Sequence, residues 1–380
     1  MADGDIGAPV DTLEFAVTDI TWPSIVHVAG DIYAISYTDA AGLGVVVTVD
    51  ISDEGVIGDA VEDSFTFDGV TGAHPSIVHV AGTVFAIAYR GAGASGFVVT
   101  ITISAVGEIA AVDGGLLEFE PDSCYEPDMI KIPDSDGIFA IVCRGDANQG
   151  IINTISISDV GEIAAVEMKE AWGTNINNPR IVHVEGTMFA IVSRDNAYYG
   201  WIRTIIISPT GEITAAATAS LKFAADQGAD SHVCFVRDNI FAIVYRGPGD
   251  DGFVVTLTIS ATGAIAFVGG AAGLVEFDAD SCTWPWILHI GNGTCVIAYG
   301  GLADDGYLCS IQIDESGQIT VLDSLEYDTE NGTHPAMIHV AGGQYAVAYI
   351  GDGLDGFVCT PTVVTPVTAR VQHLMIMGIG

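Results

Sequence analysis

Pro75-Ser76-Ile77-Val78-His79-Val80-Ala81-Gly82-Thr83-Val84-Phe85-Ala86-Ile87-Ala88-Tyr89-Arg90-Gly91 recurs, with substitutions, as Pro179-Arg180-Ile181-Val182-His183-Val184-Glu185-Gly186-Thr187-Met188-Phe189-Ala190-Ile191-Val192-Ser193-Arg194. The unit occurs seven times. Its anchor proline falls at Pro23, Pro75, Pro127, Pro179, Pro285 and Pro335, with Ser231 in the fifth place, so the steps are 52, 52, 52, 52, 54 and 50 residues. A fixed period of this length marks a repeat architecture in which each unit is one supersecondary piece.

Within a unit the hydrophobic pattern has period two. In the second unit, residues 77–80, 84–89, 97–104 and 108–119 read as four strands rich in Val, Ile, Thr and Phe. An Ala-Gly pair, a Gly-bounded loop from Gly91 to Gly96 and the turn Ala105-Val106-Gly107 separate them. No stretch sustains the 3.6-residue period of a helix. Seven four-stranded units without helices predict an all-β, seven-bladed β-propeller of four antiparallel strands per blade, a ring that hides its sheet edges.

Closure is legible too. Leu13-Glu14-Phe15 copies Leu117-Glu118-Phe119, and Phe15, Phe67 and Phe119 lie 52 apart, followed by Phe223, Phe277 and Tyr327. Residues 1–21 therefore read as a closing strand that completes the last blade, and residues 22–380 as seven blades of one domain. The last unit lacks the turn glycine found at Gly55, Gly107, Gly161, Gly211, Gly263 and Gly317, which leaves residues 365–380 as the competing outer strand.

The chain carries 49 acidic and 11 basic residues, a net charge of −38, with 49% hydrophobic residues. Such a charge repels nucleic acid and anionic lipid, and the apolar content excludes wholesale disorder. The start, Met1-Ala2-Asp3-Gly4-Asp5, has no basic segment followed by an apolar run, so no Sec-type signal peptide is expected, and no apolar window is long enough for a membrane helix. Localisation stays open, with a cell-surface, extracellular or virion setting compatible. Seven cysteines without a CxxC pair predict buried thiols rather than a disulfide framework or zinc site.

Alternating strand direction puts two kinds of loop on two faces. Loops entering the first strand and loops joining the second to the third share one face, where long connections and varied residues favour binding. The residue before the anchor varies as Trp22, His74, Glu126, Asn178, Asp230, Trp284 and His334. The second-to-third loops carry Asp250, Asp251, Asp304, Asp305, Asp352 and Asp355. Trp22, His74, Trp284, His334 and these six aspartates are expected to ring one acidic rim suited to sugars or cationic groups. The charge of −38 is expected to gather on the same loops. No resident cofactor is expected; Ca2+ held by Asp250, Asp251, Asp304 and Asp305 is the exception to test, without an EF-hand or nonapeptide motif to support it.

Two columns invite other readings. His27, His79, His183, His289 and His339 share one position of the first strand, read as a per-blade structural hydrogen bond rather than a metal ring. Arg90, Arg144, Arg194 and Arg246 end the second strand and are read as partners of rim carboxylates. No GxSxG, HExxH or Walker motif is present. Over essentially its whole length the chain resembles repeat-rich seven-bladed propellers found among lectins and surface proteins, without the Trp-Asp signature of WD40 repeats, the kelch double glycine or the sialidase Asp-box. The resemblance implies the fold; the near-regular repeats, with no blade an obvious outlier, favour a non-catalytic binding or structural module that recognises a protein or carbohydrate on the long-loop face, or one ring of a homo- or hetero-oligomeric surface or virion-like assembly. A lectin, or a glycoside hydrolase using Asp250, Asp304 and Asp355, is the alternative.

Overall fold

The computed structural model describes residues 3–214 and 218–364. Among them every regular element is a strand or a single 3-10 turn. The second blade is typical: Ala73–Ala81, Val84–Arg90, Gly96–Ile103 and Ile109–Glu120 form one antiparallel sheet in chain order. Seven such sheets stand around an axis. Their first strands, Ile20–Ala29, Ala73–Ala81, Tyr125–Lys131, Asn177–Glu185, Ala229–Arg237, Thr283–Gly291 and Thr333–His339, pack side by side as the inner wall, and the last lies against the first.

Second strands are buried on both faces, as their near-continuous apolar sequence requires. Ala34, Ala86, Ala140, Ala190, Ala242 and Ala346 occupy one register position there, fully buried. Their small side chains let neighbouring blades approach closely. Phe85, Phe139, Phe189 and Phe241, also fully buried, fill the space beside them.

The N-terminal segment closes the ring. Thr12–Ala16 pairs with Gly356–Cys359 in the register Thr12 to Cys359 and Glu14 to Phe357, supplying the fourth strand of the seventh blade. The competing outer strand at residues 365–380 lies outside the described residues. The 54-residue step is absorbed in the fifth blade, whose outer strand is split into Ile265–Phe267 and Leu274–Asp278 around a turn at Gly270–Gly273.

One hydroxyl in each third strand ties its blade to the next. Thr48, Thr100, Thr154, Thr204 and Thr256 donate to the carbonyls of Gly107, Gly161, Gly211, Gly263 and Gly317 at 2.6–2.9 Å. Thr360 donates to Gly55 at 2.5 Å, across the closure. The seventh donor, Ser310, finds Gly4 at 2.6 Å. Gly4 therefore replaces the turn glycine that the last unit lacks, and its φ of +90° matches the left-handed values of +77° to +87° at the six repeat glycines.

Acidic side chains do similar work on this short-turn face. Asp11, Asp63 and Asp323 each accept the backbone N–H of an isoleucine in the following blade, Ile57, Ile109 and Ile6, at 2.8–3.0 Å. These carboxylates are structural acceptors.

Candidate functional site

Sequence patterning places the first strand after the anchor proline, because proline cannot donate to a ladder. Instead the strand begins two to three residues earlier and carries a bulge at the anchor in every blade, as between Ala73 and Ser76. The extra residue is the one before the anchor. Trp22, His74, Glu126, Asn178, Asp230, Trp284 and His334 all have φ between +49° and +59°. Left-handed backbone is disfavoured for tryptophan and before proline, and six of the seven precede proline, so seven such residues held by sheet pairing on both sides are an imposed geometry. It turns all seven side chains toward the axis.

They line one cavity of about 250 Å³. Its two halves differ. Trp22 stacks on His74 with ring centroids 4.2 Å apart, Trp284 stacks on His334 at 4.7 Å, and Trp22 meets Trp284 edge-on at 4.5 Å. In the blades of Trp22, Trp284 and His334 the second-strand position that is arginine in the other four blades holds Thr38, Gly300 and Ile350. Opposite lie Glu126, Asn178 and Asp230. Arg246 contacts Asp230 at 2.9 Å, Arg144 approaches Glu126 at 3.9 Å, and Glu126 also accepts the Asn178 N–H at 2.7 Å.

One turn deeper the same cavity is lined by Ser24, Ser76, Asp128, Arg180, His232 and Trp286. Three of these latch adjacent blades. Ser76, Asp128 and His232 accept the backbone N–H of Met129, Ile181 and Ile287 at 3.2, 2.8 and 3.4 Å. His232 also stacks on Trp286 at 4.1 Å. Sequence reading missed this layer. The signal was available in the column two residues after each varied position, but its variability resembles that of an ordinary half-exposed strand.

The expected acidic rim divides. Trp22, His74, Trp284 and His334 line the cavity; Asp250, Asp251, Asp304, Asp305, Asp352 and Asp355 do not. These aspartates lie in or next to the 3-10 turns of the second-to-third loops. Asp250 and Asp304 occupy the left-handed turn position, φ +68° and +70°, shared by Leu354, and their carbonyls accept Cys282 and Gly332 N–H groups at 2.7 and 2.8 Å. Aspartate is common there because it tolerates that conformation. Among the described residues no three His, Cys, Asp or Glu side chains converge as a metal site. His27, His79, His183 and His339 donate from Nε2 to the carbonyls of Gly30, Gly82, Gly186 and Gly342 at 2.9–3.1 Å, a local strand-turn bond.

No protein-family model matches the sequence, and no curated protein matches it either. Solved structures do match in shape. BBS1N, solved in complex with ARL6DN, superposes with a TM-score of 0.58 over 97% of this chain and 99% of its own, at 9% identity. A 6-phosphogluconolactonase-like protein from Bacteroides fragilis gives 0.56 over 85% and 92%, at 12% identity, and a protein of unknown function from Dyadobacter fermentans gives 0.52 over 93% and 98%, at 11%. The fold is a seven-bladed β-propeller. At these identities the likeness extends to the fold and no further.

The four arginines of the second strands stand on one side of this mouth. Besides its contact with Asp230, Arg246 reaches Asp250 at 3.4 Å, so both Arg246 and Arg144 pair with carboxylates as expected of this column. Arg90 and Arg144 both lie over the Tyr125 ring, at 5.0 and 4.4 Å, and Arg194 covers Tyr198 at 4.6 Å. Burial, reinforced by Arg90 and Arg180, pushes the His74 imidazole down to about 3; burial and Arg180 push His232 down to about 3; burial pushes His334 down to about 4. Burial pushes the carboxyls of Asp128 and Asp230 up, opposed by Arg180 and by Arg246 and Arg194 respectively.

These histidines set a pH dependence. Each is neutral in the folded propeller and takes up a proton near its ordinary 6.5 when unfolded, so stability is lost as pH falls from 6.5 toward 4. Asp128 and Asp230 contribute with the opposite sign, since the folded state binds their protons more readily. Between pH 6.5 and 5 the histidines should dominate, on the order of 1 kcal/mol each. Thermal melts at pH 7, 6 and 5 should show a falling Tm, less steep for His334→Phe; a flat profile would mean that water reaches these rings freely.

Proposed function

We propose that this propeller is a non-catalytic binding module that takes its ligand or partner at the axial mouth of the long-loop face. The observation that carries the reading is the ring of seven side chains, each in an unfavourable left-handed conformation, turned into one cavity. Strain repeated in every blade and aimed at one place is a feature of sites rather than of turns. Support for a non-catalytic role comes from the axial carboxylates. Glu126, Asp128 and Asp230 each already accept an N–H or contact an arginine, so none stands ready as a general acid or base. Asp250, Asp304 and Asp355, the acids a glycosidase would need, belong to the turns of three different blades. That BBS1N is found in complex with ARL6DN fits the use of such a ring as a docking body.

A thermal-shift screen of a fragment and glycan library tests this. Ligands that raise the Tm of the wild type should lose their effect in Trp22→Ala and Trp284→Ala, whose side chains form the aromatic half of the mouth. Shifts that persist in both variants would place binding elsewhere and end the reading.

A further inference from the structure

Ser231 is the only anchor in the seven repeats that is not proline. It lines the axial cavity, is 3% exposed, and its hydroxyl has no protein partner. A buried hydroxyl without a partner is costly and uncommon in native structures. Arg180, from the preceding blade, lines the same cavity, and no carboxylate lies within ion-pair distance of it; its guanidinium bonds only the Pro179 carbonyl, at 3.4 Å. A hydroxyl without an acceptor and a guanidinium bonded only to a backbone carbonyl therefore face one space.

Charge around that space points the same way. Three carboxylates, Glu126, Asp128 and Asp230, line it, and each is engaged. Five arginines surround them, of which Arg90, Arg180 and Arg194 have no carboxylate within 4 Å among the described residues. In a chain of net charge −38, five arginines thus stand around the three carboxylates that line this mouth. Trp22, Trp284 and Trp286 add flat apolar surface to the wall. At about 250 Å³ the cavity lies just below the roughly 300–1,000 Å³ usual for drug-sized ligands, which suits a single ring.

We propose that the axial cavity binds a small carboxylate carried on a flat ring, its oxygens taken by the Ser231 hydroxyl and the Arg180 guanidinium and its ring laid against the tryptophans. This rests on the axial mouth being the binding surface. A guanidinium and a hydroxyl supply directed donors to the two oxygens, and the carboxylate in turn gives the Ser231 hydroxyl the partner it lacks and Arg180 an anionic one. The six prolines at the equivalent positions cannot donate, which confines the site to one side of a nearly symmetric ring.

Tryptophan fluorescence of the full chain, titrated with benzoate, benzamide, acetate and benzylammonium, tests the assignment. Benzoate should give a saturable change, with benzamide and acetate at least tenfold weaker. Ser231→Pro restores the repeat in a backbone already shaped for proline, so it should fold with an unchanged or higher Tm and lose at least tenfold in benzoate affinity; Arg180→Gln should lose as much. Undiminished benzoate binding in folded Ser231→Pro, or no saturable response to benzoate, would overturn the proposal. Saturation by benzylammonium in preference to benzoate would overturn the carboxylate assignment while leaving the axial mouth as the binding surface; silence from all four probes beside positive fragments in the thermal-shift screen would do the same.

Discussion

Deleting residues 1–17 is expected to open the ring and abolish the cooperative melt of the intact chain. The deletion removes the fourth strand of the seventh blade, the Gly4 carbonyl that receives Ser310, and the Asp11 carboxylate that receives the Ile57 N–H. Phe15, 6% exposed and packed on Tyr37 with ring centroids 5.5 Å apart, goes with it. Phe15→Ala alone should cost about 3–5 kcal/mol, the range for emptying a buried phenylalanine site. Complete deletion should do more, because it also exposes the edge of Gly356–Cys359, and an exposed apolar edge invites pairing with other chains. Circular dichroism melts and sedimentation velocity would report it. A truncated protein that stays monomeric and melts as the intact chain does would mean that residues 365–380, not the N-terminal strand, complete that blade.

The second large effect belongs to a buried ion pair. Glu120, 1% exposed, receives the Lys169 ammonium on both carboxylate oxygens at 2.7 Å. Elsewhere the acid in this column bonds a tyrosine of the next blade, as Asp278 does with Tyr299 at 2.7 Å and Asp328 with Tyr349 at 2.8 Å. The third blade has Cys143 in the tyrosine position, so Glu120 depends on Lys169 instead. Lys169→Met should therefore cost about 3 kcal/mol, at the lower end of the range for unpairing a buried charge because the lysine is itself 40% exposed. Adding Glu120→Gln removes the stranded charge and should recover most of the loss. Chemical denaturation of the two variants checks both halves; a single variant within about 0.5 kcal/mol of wild type would show that water reaches Glu120.

Much of this was written in the period. The seven anchors, the four strands of each unit and the match of Leu13-Glu14-Phe15 to Leu117-Glu118-Phe119 located the blades and the closing strand, because register in a half-buried sheet is set by side-chain alternation. The mouth was legible only in part. Trp22, His74, Trp284 and His334 stood out as the varied column, yet the aspartates grouped with them belong to turns, where an acid signals backbone conformation as readily as binding. Cross-blade bonds escaped altogether. Thr48 and Gly107 are 59 residues apart, and nothing in either segment reveals that two sheets bring them within 2.7 Å. Ser231 was visible as a broken repeat, but its meaning needed the cavity that its hydroxyl faces.

Fluorine NMR of the fluorotryptophan-labelled propeller during a benzoate titration asks where the ligand goes. The chain has five tryptophans, and only Trp22, Trp284 and Trp286 line the axial cavity. Their three resonances should move together and saturate, while those of Trp172 and Trp201, outside the lining, stay in place. Movement of Trp172 or Trp201 with the axial three unchanged would contradict a binding site at the axial mouth.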